Sequence, residues 1–327
     1  MQTRTILNNI SHSRSSGAAP LYPRGWAGGF IALALLAGCA SAPPTGGGSA
    51  PVAASPAATD TAPRRAPRIG LALGGGAAKG FAHVGVIAVL EEAGLRPALV
   101  VGTSAGSLVA ALYASGKTSA ELQQAALGMD EVAITDWMLP LINRGMFRGD
   151  ALARFVNGAV AGRQLEDMRI PLGVVATDLS SGLPVLFQRG DAGMAVRASS
   201  AVPAVFTPVR ISGRDYVDGG LVSPVPVRFA RQMGAEFVIA VDISTPPEGS
   251  PTNDTFQILL QTFNIMGKSI KDYELKDANL VVRPSLEGLK STDFSARQRA
   301  IDAGRAAMLA ALPGLRLRLE AAALAAR

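Results

Sequence analysis

Two stretches of this chain follow one local plan: a short run of core-type residues breaks on glycines and resumes as a helix. Ile69-Gly70-Leu71-Ala72-Leu73 runs into Gly74-Gly75-Gly76-Ala77-Ala78-Lys79-Gly80, after which residues 81–90 carry a helical pattern that ends at Gly94. Ala98-Leu99-Val100-Val101 runs into Gly102-Thr103-Ser104-Ala105-Gly106, and a second helix begins at Ser107. Apolar strands without alternation, each followed by a helix, belong to parallel sheets covered on both faces. The expected fold class is therefore α/β, a mainly parallel central sheet sandwiched by helices. Further strands are expected at 170–178, with 183–187 as partner, at 236–242 and at 280–282. A hairpin over 209–217 turns at Ser212-Gly213, an amphipathic helix covers 256–274, and a closing helix starts at Ser295.

The 327 residues suffice for one large domain or two small ones, so a sizeable core is possible. A single Cys excludes a disulfide framework, an iron–sulfur cluster and a cysteine zinc site. The two histidines, His12 and His83, exclude a His-rich metal site and leave few ways to assemble a Ser-His-Asp triad. The net charge of +6 sits mostly before residue 69, where six arginines face a single acid, Asp60. The near-neutral remainder lacks the basic face of a nucleic-acid binder, so no nucleic-acid partner is expected.

An arginine-bearing stretch ends at Arg24, and an apolar run, Phe30-Ile31-Ala32-Leu33-Ala34-Leu35-Leu36, leads to Ala37-Gly38-Cys39. The run is far shorter than the about 20 residues of a bilayer-spanning helix, and reads as a secretory signal over residues 1–38. Leu36-Ala37-Gly38-Cys39 resembles the lipobox of bacterial lipoproteins, which implies a diacylglyceryl-modified Cys39 as a membrane anchor. Ala40, in place of the Asp used for inner-membrane retention, implies a lipid-anchored location in the cell envelope at the outer membrane. Residues 39–68 are rich in Pro, Gly and Ala, with almost nothing large enough to bury, and read as a flexible linker. A catalytic domain is expected over 69–327, its motif-bearing core at 69–229 and further strands and helices at 230–327.

The first glycine turn, at the end of a strand and the start of a helix, can hold an anion on converging N–H groups. It is not a nucleotide fingerprint, because Lys79 stands where a dinucleotide-binding turn needs its last Gly. Gly116-Lys117-Thr118 likewise lacks the upstream Gly of a P-loop, with Ala111 at that position.

The second turn is Gly-x-Ser-x-Gly in strand–turn–helix context, the setting that holds a nucleophilic serine on a strained bend. The plainer reading makes Ser104 a helix cap. No His lies C-terminal to Ser104, and His83 reads as a packing residue on a helix face, so the expected base is a carboxylate. Asp218 stands out: it closes the hairpin, and Gly219-Gly220 behind it let the backbone bend toward another turn. The plainer reading is an Asx turn. Asp178 is a rival that reads better as a strand-end turn. Because a carboxylate with a pKa near ~4 is a poor base at neutral pH, the site must desolvate it. The oxyanion would then sit on N–H groups of the glycine loop.

Gly74–Gly80, Gly102–Gly106 and Asp218–Gly220, in that order, together with Arg197-Ala198-Ser199-Ser200-Ala201-Val202-Pro203-Ala204-Val205-Phe206-Thr207-Pro208, resemble the signatures of the patatin-like phospholipase family. The resemblance implies a Ser-Asp dyad hydrolase with Ser104 as nucleophile and Asp218 as base. It also implies an oxyanion hole at Gly75 and Gly76, with Ala77 adjoining, and Gly74, Lys79, Gly80, Gly102, Gly106, Gly219 and Gly220 as motif positions. Two departures stand out. Ala77 falls where members often have a third Gly, so a left-handed backbone there is costly, and Lys79 falls where Arg is usual and lacks its bidentate fork.

The expected activity is hydrolysis of fatty-acyl esters of phospholipids or lysophospholipids through an acyl-enzyme on Ser104, with membrane lipid as substrate and no cofactor or metal. Two other readings stay open on the sequence: an esterase or thioesterase acting on soluble acyl esters, and a catalytically silent acyl-lipid binding protein.

Overall fold

The computed structural model describes residues 65–129, 150–244 and 255–325, so the signal segment, Cys39 and most of the linker lie outside the described residues. The elements run β1 (Ile69–Leu73), α1 (Ala82–Glu92), β2 (Leu99–Thr103), α2 (Ala105–Ala114), α3 (Ser119–Leu127) and α4 (Asp150–Ala159). Then come β3 (Leu172–Asp178), β4 (Pro184–Phe187), α5 (Ala192–Ser199), β5 (Val209–Ile211) and β6 (Arg214–Asp218). The chain continues through α6 (Val227–Gln232), β7 (Phe237–Val241), α7 (Thr255–Glu274), β8 (Leu280–Val282) and α8 (Arg297–Ala325).

The strands form one sheet in the order β5-β6-β3-β2-β1-β7-β8, with β4 also paired to β3. β3, β2, β1, β7 and β8 run parallel, and the β3–β4, β3–β6 and β5–β6 pairings are antiparallel. The mainly parallel α/β class expected from the unalternating apolar runs is the one observed. Every residue of β2, β3 and β7 is buried, as a sheet covered on both faces requires.

Successive side chains divide between two cores, as the pleat demands. Leu71, Leu73, Val100, Val174, Ile239 and Val241 face the thick layer made by α1, α2, α3, α4, α5 and α8. Ala72, Leu99, Val101, Val175, Val238 and Ala240 face a thinner cover that includes Val227, Phe229 and Leu275. Small residues bring α1 and α8 together: a Cβ on Gly85 would overlap the Ile301 carbonyl, and one on Gly304 the Ala82 carbonyl.

The register of β3 positions the site. Val174 and Val175 pair with both β2 and β4, whereas Ala176 and Thr177 pair with both β4 and β6. A strand has two edges, so β2 and β6 share one of them. β6 takes over where β2 leaves: Thr103 lies opposite Val175, and Asp218 lies opposite Ala176, the next residue. The hairpin that delivers Asp218 turns at Ser212 and Gly213, both at positive φ (50° and 82°), the geometry of a primed two-residue turn.

Candidate active site

Ser104 links β2 to α2 in a conformation L-residues avoid, φ 52° and ψ −122°. Such strain costs on the order of 1–3 kcal/mol and persists only where the surroundings over-determine it. They do so here. A Cβ on Gly102 would overlap the Gly106 carbonyl, and one on Gly106 would overlap the Leu73 carbonyl, so both glycines are needed for strand and helix to close on each other. The Ser104 carbonyl accepts from the Ser107 hydroxyl at 2.6 Å and from the Ser107 N–H at 2.8 Å. Its N–H donates to Ser199 Oγ at 2.8 Å, and that hydroxyl donates to the Val175 carbonyl at 2.6 Å.

Ser199 is thus a clamp that sequence reasoning passed over. It lay within a segment noted for its family resemblance, but nothing in its spacing marks a contact across 95 residues. Ser199→Ala leaves two buried backbone groups without a partner, at about 1–3 kcal/mol each. The expected result is a clear fall in urea midpoint and slower reaction at Ser104, measured on the same preparation.

The Ser104 hydroxyl lies near enough to the Asp218 carboxylate to act on its titration, so the structure brings the two residues together. Asp218 is buried, and its Oδ1 also accepts the Gly220 N–H at 2.7 Å. The Asx-turn reading is therefore also present, in the same side chain. Burial pushes the Asp218 carboxyl up from its ordinary 3.8 to about 6, against the opposing pull of the Gly220 N–H and the nearby Ser104 hydroxyl. Its backbone is held from both sides, the N–H donating to the Ala201 carbonyl at 2.9 Å and the carbonyl accepting from Thr177 Oγ1 at 2.8 Å. Gly219 follows because a Cβ there would overlap the Val175 carbonyl.

The glycine loop lies against the serine, a Cβ on Gly75 coming 3.2 Å from Ser104 Cβ. One expectation needs correction here. The Gly75 N–H donates to the Pro224 carbonyl at 3.0 Å, so it is not a free oxyanion donor, and Gly75 serves the site by its close approach. Gly74 is likewise engaged, its N–H donating to the Val241 carbonyl at 3.0 Å. Among the described residues, the N–H groups of Gly76 and Ala77 meet no backbone acceptor. Ala77 adopts the costly left-handed backbone, φ 48°, at the start of a short 3-10 turn over Ala77–Phe81. Lys79, on that turn, is buried, and burial lowers its pKa. A Cβ on Gly80 would come 2.7 Å from Ala105 Cβ, so this glycine lets the turn pack on α2, which begins at Ala105.

His83 is fully buried with Nε2 donating to the Gly74 carbonyl at 2.8 Å. Burial depresses its pKa to about 4, so it is neutral at pH 7 and steadies the loop. Asp178 is bound up elsewhere, accepting from the N–H groups of Ser180 and Ser181 at 3.0 Å and from Arg214 at 2.9 Å. These bonds, first Ser181 and then Arg214, hold its carboxyl below the ordinary range. Among the described residues, no group of three His, Cys, Asp or Glu side chains could hold a metal ion.

Comparison with known proteins bears on the same residues. The patatin-like phospholipase family model matches residues 71–231, which contain both glycine turns and Asp218. An uncharacterized NTE family protein of Mycobacterium tuberculosis is 33% identical over 216 residues, covering 66% of this chain and 60% of that protein. The human patatin-like phospholipase domain-containing protein 6 is 34% identical over 187 residues, 55% of this chain and 14% of that protein. The chain therefore spans about 60% of the mycobacterial relative it matches, and far less of the human one. VipD from Legionella pneumophila shares the fold, with a TM-score of 0.50 and 15% identity over 76% of this chain and 67% of that one. From the first strand through the turn that carries Asp218, residues 71–231 are a patatin-like phospholipase domain.

Proposed function

We propose that this protein is a serine hydrolase that cleaves fatty-acyl esters of phospholipids or lysophospholipids with a Ser104–Asp218 dyad. The observation that carries the reading is that adjoining register positions of β3 set a strained elbow serine beside a buried carboxylate whose pKa is raised to about 6. Asp218 takes the Ser104 proton as Oγ attacks the ester carbonyl carbon. The oxyanion that forms is met by the N–H groups of Gly76 and Ala77. Collapse breaks the ester C–O bond, the protonated Asp218 returns the proton to the departing alcohol, and the acyl group remains on Ser104. Water then repeats the sequence, losing a proton to Asp218, and releases the fatty acid while Ser104 regains its hydrogen.

A lipid-phase substrate is favoured over soluble esters by helix α7. Its exposed side chains Ile258, Leu259, Ile265, Met266 and Tyr273 recur at sevens along one face. Its Gly267 sits beside Pro224, the residue whose carbonyl holds Gly75. An apolar face next to the site suits contact with lipid. A lipidated Cys39 at the end of a signal segment would tether the domain at such a surface, in the outer membrane of the cell envelope. Among the described residues, no helix is long and apolar enough to cross a membrane.

Fluorophosphonate labelling tests the reading. The native chain is expected to label, Ser104→Ala to lose the label, and Asp218→Ala to label at least about a hundredfold more slowly. Labelling of Ser104→Ala at the native rate would overturn the nucleophile. A native chain that stays unlabelled with and without phospholipid vesicles would favour the silent binding protein. Faster turnover of phospholipid in vesicles than of monomeric ester separates the lipid reading from a soluble esterase.

A further inference from the structure

Ser223 lies five residues beyond Asp218 and is fully buried. Three elements meet on it. Its N–H donates to the Gly219 carbonyl at 2.9 Å, on the turn behind Asp218. Its carbonyl accepts from Thr103 Oγ1 at 2.8 Å, on the residue before Ser104. Its hydroxyl donates to Oε1 of Glu274 at 2.7 Å, on the last residue of α7.

Glu274 is costly where it stands. It is buried at a helix C-terminus, where the helix dipole disfavours negative charge. Its Oε1 also meets Arg228 Nε at 3.0 Å, while Oε2 has no hydrogen-bond partner among the described residues. Burial raises its carboxyl to about 7, with the Ser223 bond, Arg228 and the Val225 N–H opposing and the Asp277 charge adding to the rise. An apolar residue would fill the space at lower cost, unless the acceptor at Oε1 is needed. The family match ends at residue 231, so this carboxylate lies outside it.

We propose that Glu274 is a positioning residue for the Ser104–Asp218 pair. It acts by fixing the Ser223 hydroxyl, which keeps the Ser223 backbone bonded to Thr103 and Gly219 at once. Those bonds tie the residue before the serine and the residue after the aspartate to one point. The proposal rests on the serine-hydrolase reading above. An acceptor at Oε1 is what the role requires, so glutamine can supply it and alanine cannot.

The test uses the full chain, fluorophosphonate labelling, and kcat and KM on 4-nitrophenyl butyrate, with cooperative thermal melting checked for each variant. Glu274→Ala and Ser223→Ala are each expected to lower kcat about ten- to a hundredfold with KM within about twofold, as small misalignments of reacting groups do. Glu274→Gln is expected to recover most of the loss. The double variant Ser223→Ala/Glu274→Ala is expected to match the single ones, because both remove one hydrogen bond. A folded Glu274→Ala with native kcat overturns the proposal, as do losses that multiply in the double variant or a glutamine variant as slow as alanine. If Glu274→Ala does not fold, Ser223→Ala decides, and a native kcat there overturns it. A native chain that neither labels nor turns over would instead remove the dyad reading, and this proposal with it.

Discussion

Asp218→Asn is expected to unfold later than the native chain at pH 8 and to react at least about a thousandfold more slowly. Both halves follow from one cost. The Asp218 carboxyl is buried, and burial lifts its pKa from 3.8 to about 6, although the Gly220 N–H and the nearby Ser104 hydroxyl oppose the rise. At about 1.36 kcal/mol per pH unit, keeping that charge in the fold costs on the order of 3 kcal/mol above pH 6. Because the folded value lies above the unfolded one, the native chain loses this stability as pH rises from 3.8 to about 6, and the loss is constant beyond. Asparagine has no charge to bury and keeps an oxygen for the Gly220 N–H. A gain of roughly 5 °C in melting temperature at pH 8 is expected for a domain of this size, shrinking toward zero near pH 4. The proton acceptor is gone, so reaction at Ser104 falls. In the native chain, kcat/KM should fall tenfold per pH unit on the acid side of a midpoint near 6. Thermal melts of both proteins across pH 4–8, beside the native rate profile, check all of this. An asparagine variant less stable than native at pH 8 would contradict the account.

The strands, the hairpin and the two turns were legible because their signals are local. Apolar runs of fixed length, a Ser-Gly turn and glycines flanking a serine each act within a few residues. The position of Asp218 beside Ser104 was not legible in that way. It follows from a sharing of one β3 edge by β2 and β6, a relation between segments more than a hundred residues apart. The same holds for Ser199 and Ser223, whose hydroxyls bond across long separations from otherwise ordinary positions. The Gly75 expectation failed for a related reason. A glycine-rich loop announces available N–H groups, but which of them is already donated depends on Pro224, brought in from beyond the turn that carries Asp218. Ala77 was the reverse case: the missing glycine marked a left-handed position, and the backbone adopts it at φ 48°.

Two glycines of helix α8 are expected to respond to the same substitution with opposite signs. Gly304→Ala should destabilise the protein by about 3 kcal/mol, and Gly314→Ala should stabilise it by about 0.5–1 kcal/mol. In sequence both are glycines inside a helix, where alanine is intrinsically better. At Gly314 nothing lies within 4 Å of the added methyl, so the propensity gain stands. At Gly304 the methyl would overlap the Ala82 carbonyl, and α1 and α8 must separate to admit it. That separation also reaches the site. Ala82 opens the helix that carries His83, which holds the Gly74 carbonyl, and the Ala78 N–H of the glycine loop donates to the Ser291 carbonyl just ahead of α8. Gly304→Ala should therefore slow reaction at Ser104 even at temperatures where the protein remains folded, whereas Gly314→Ala should leave it unchanged. Urea unfolding and fluorophosphonate labelling of the two variants check the signs. A Gly304→Ala protein as stable and as reactive as the native chain would mean that α8 does not brace the loop.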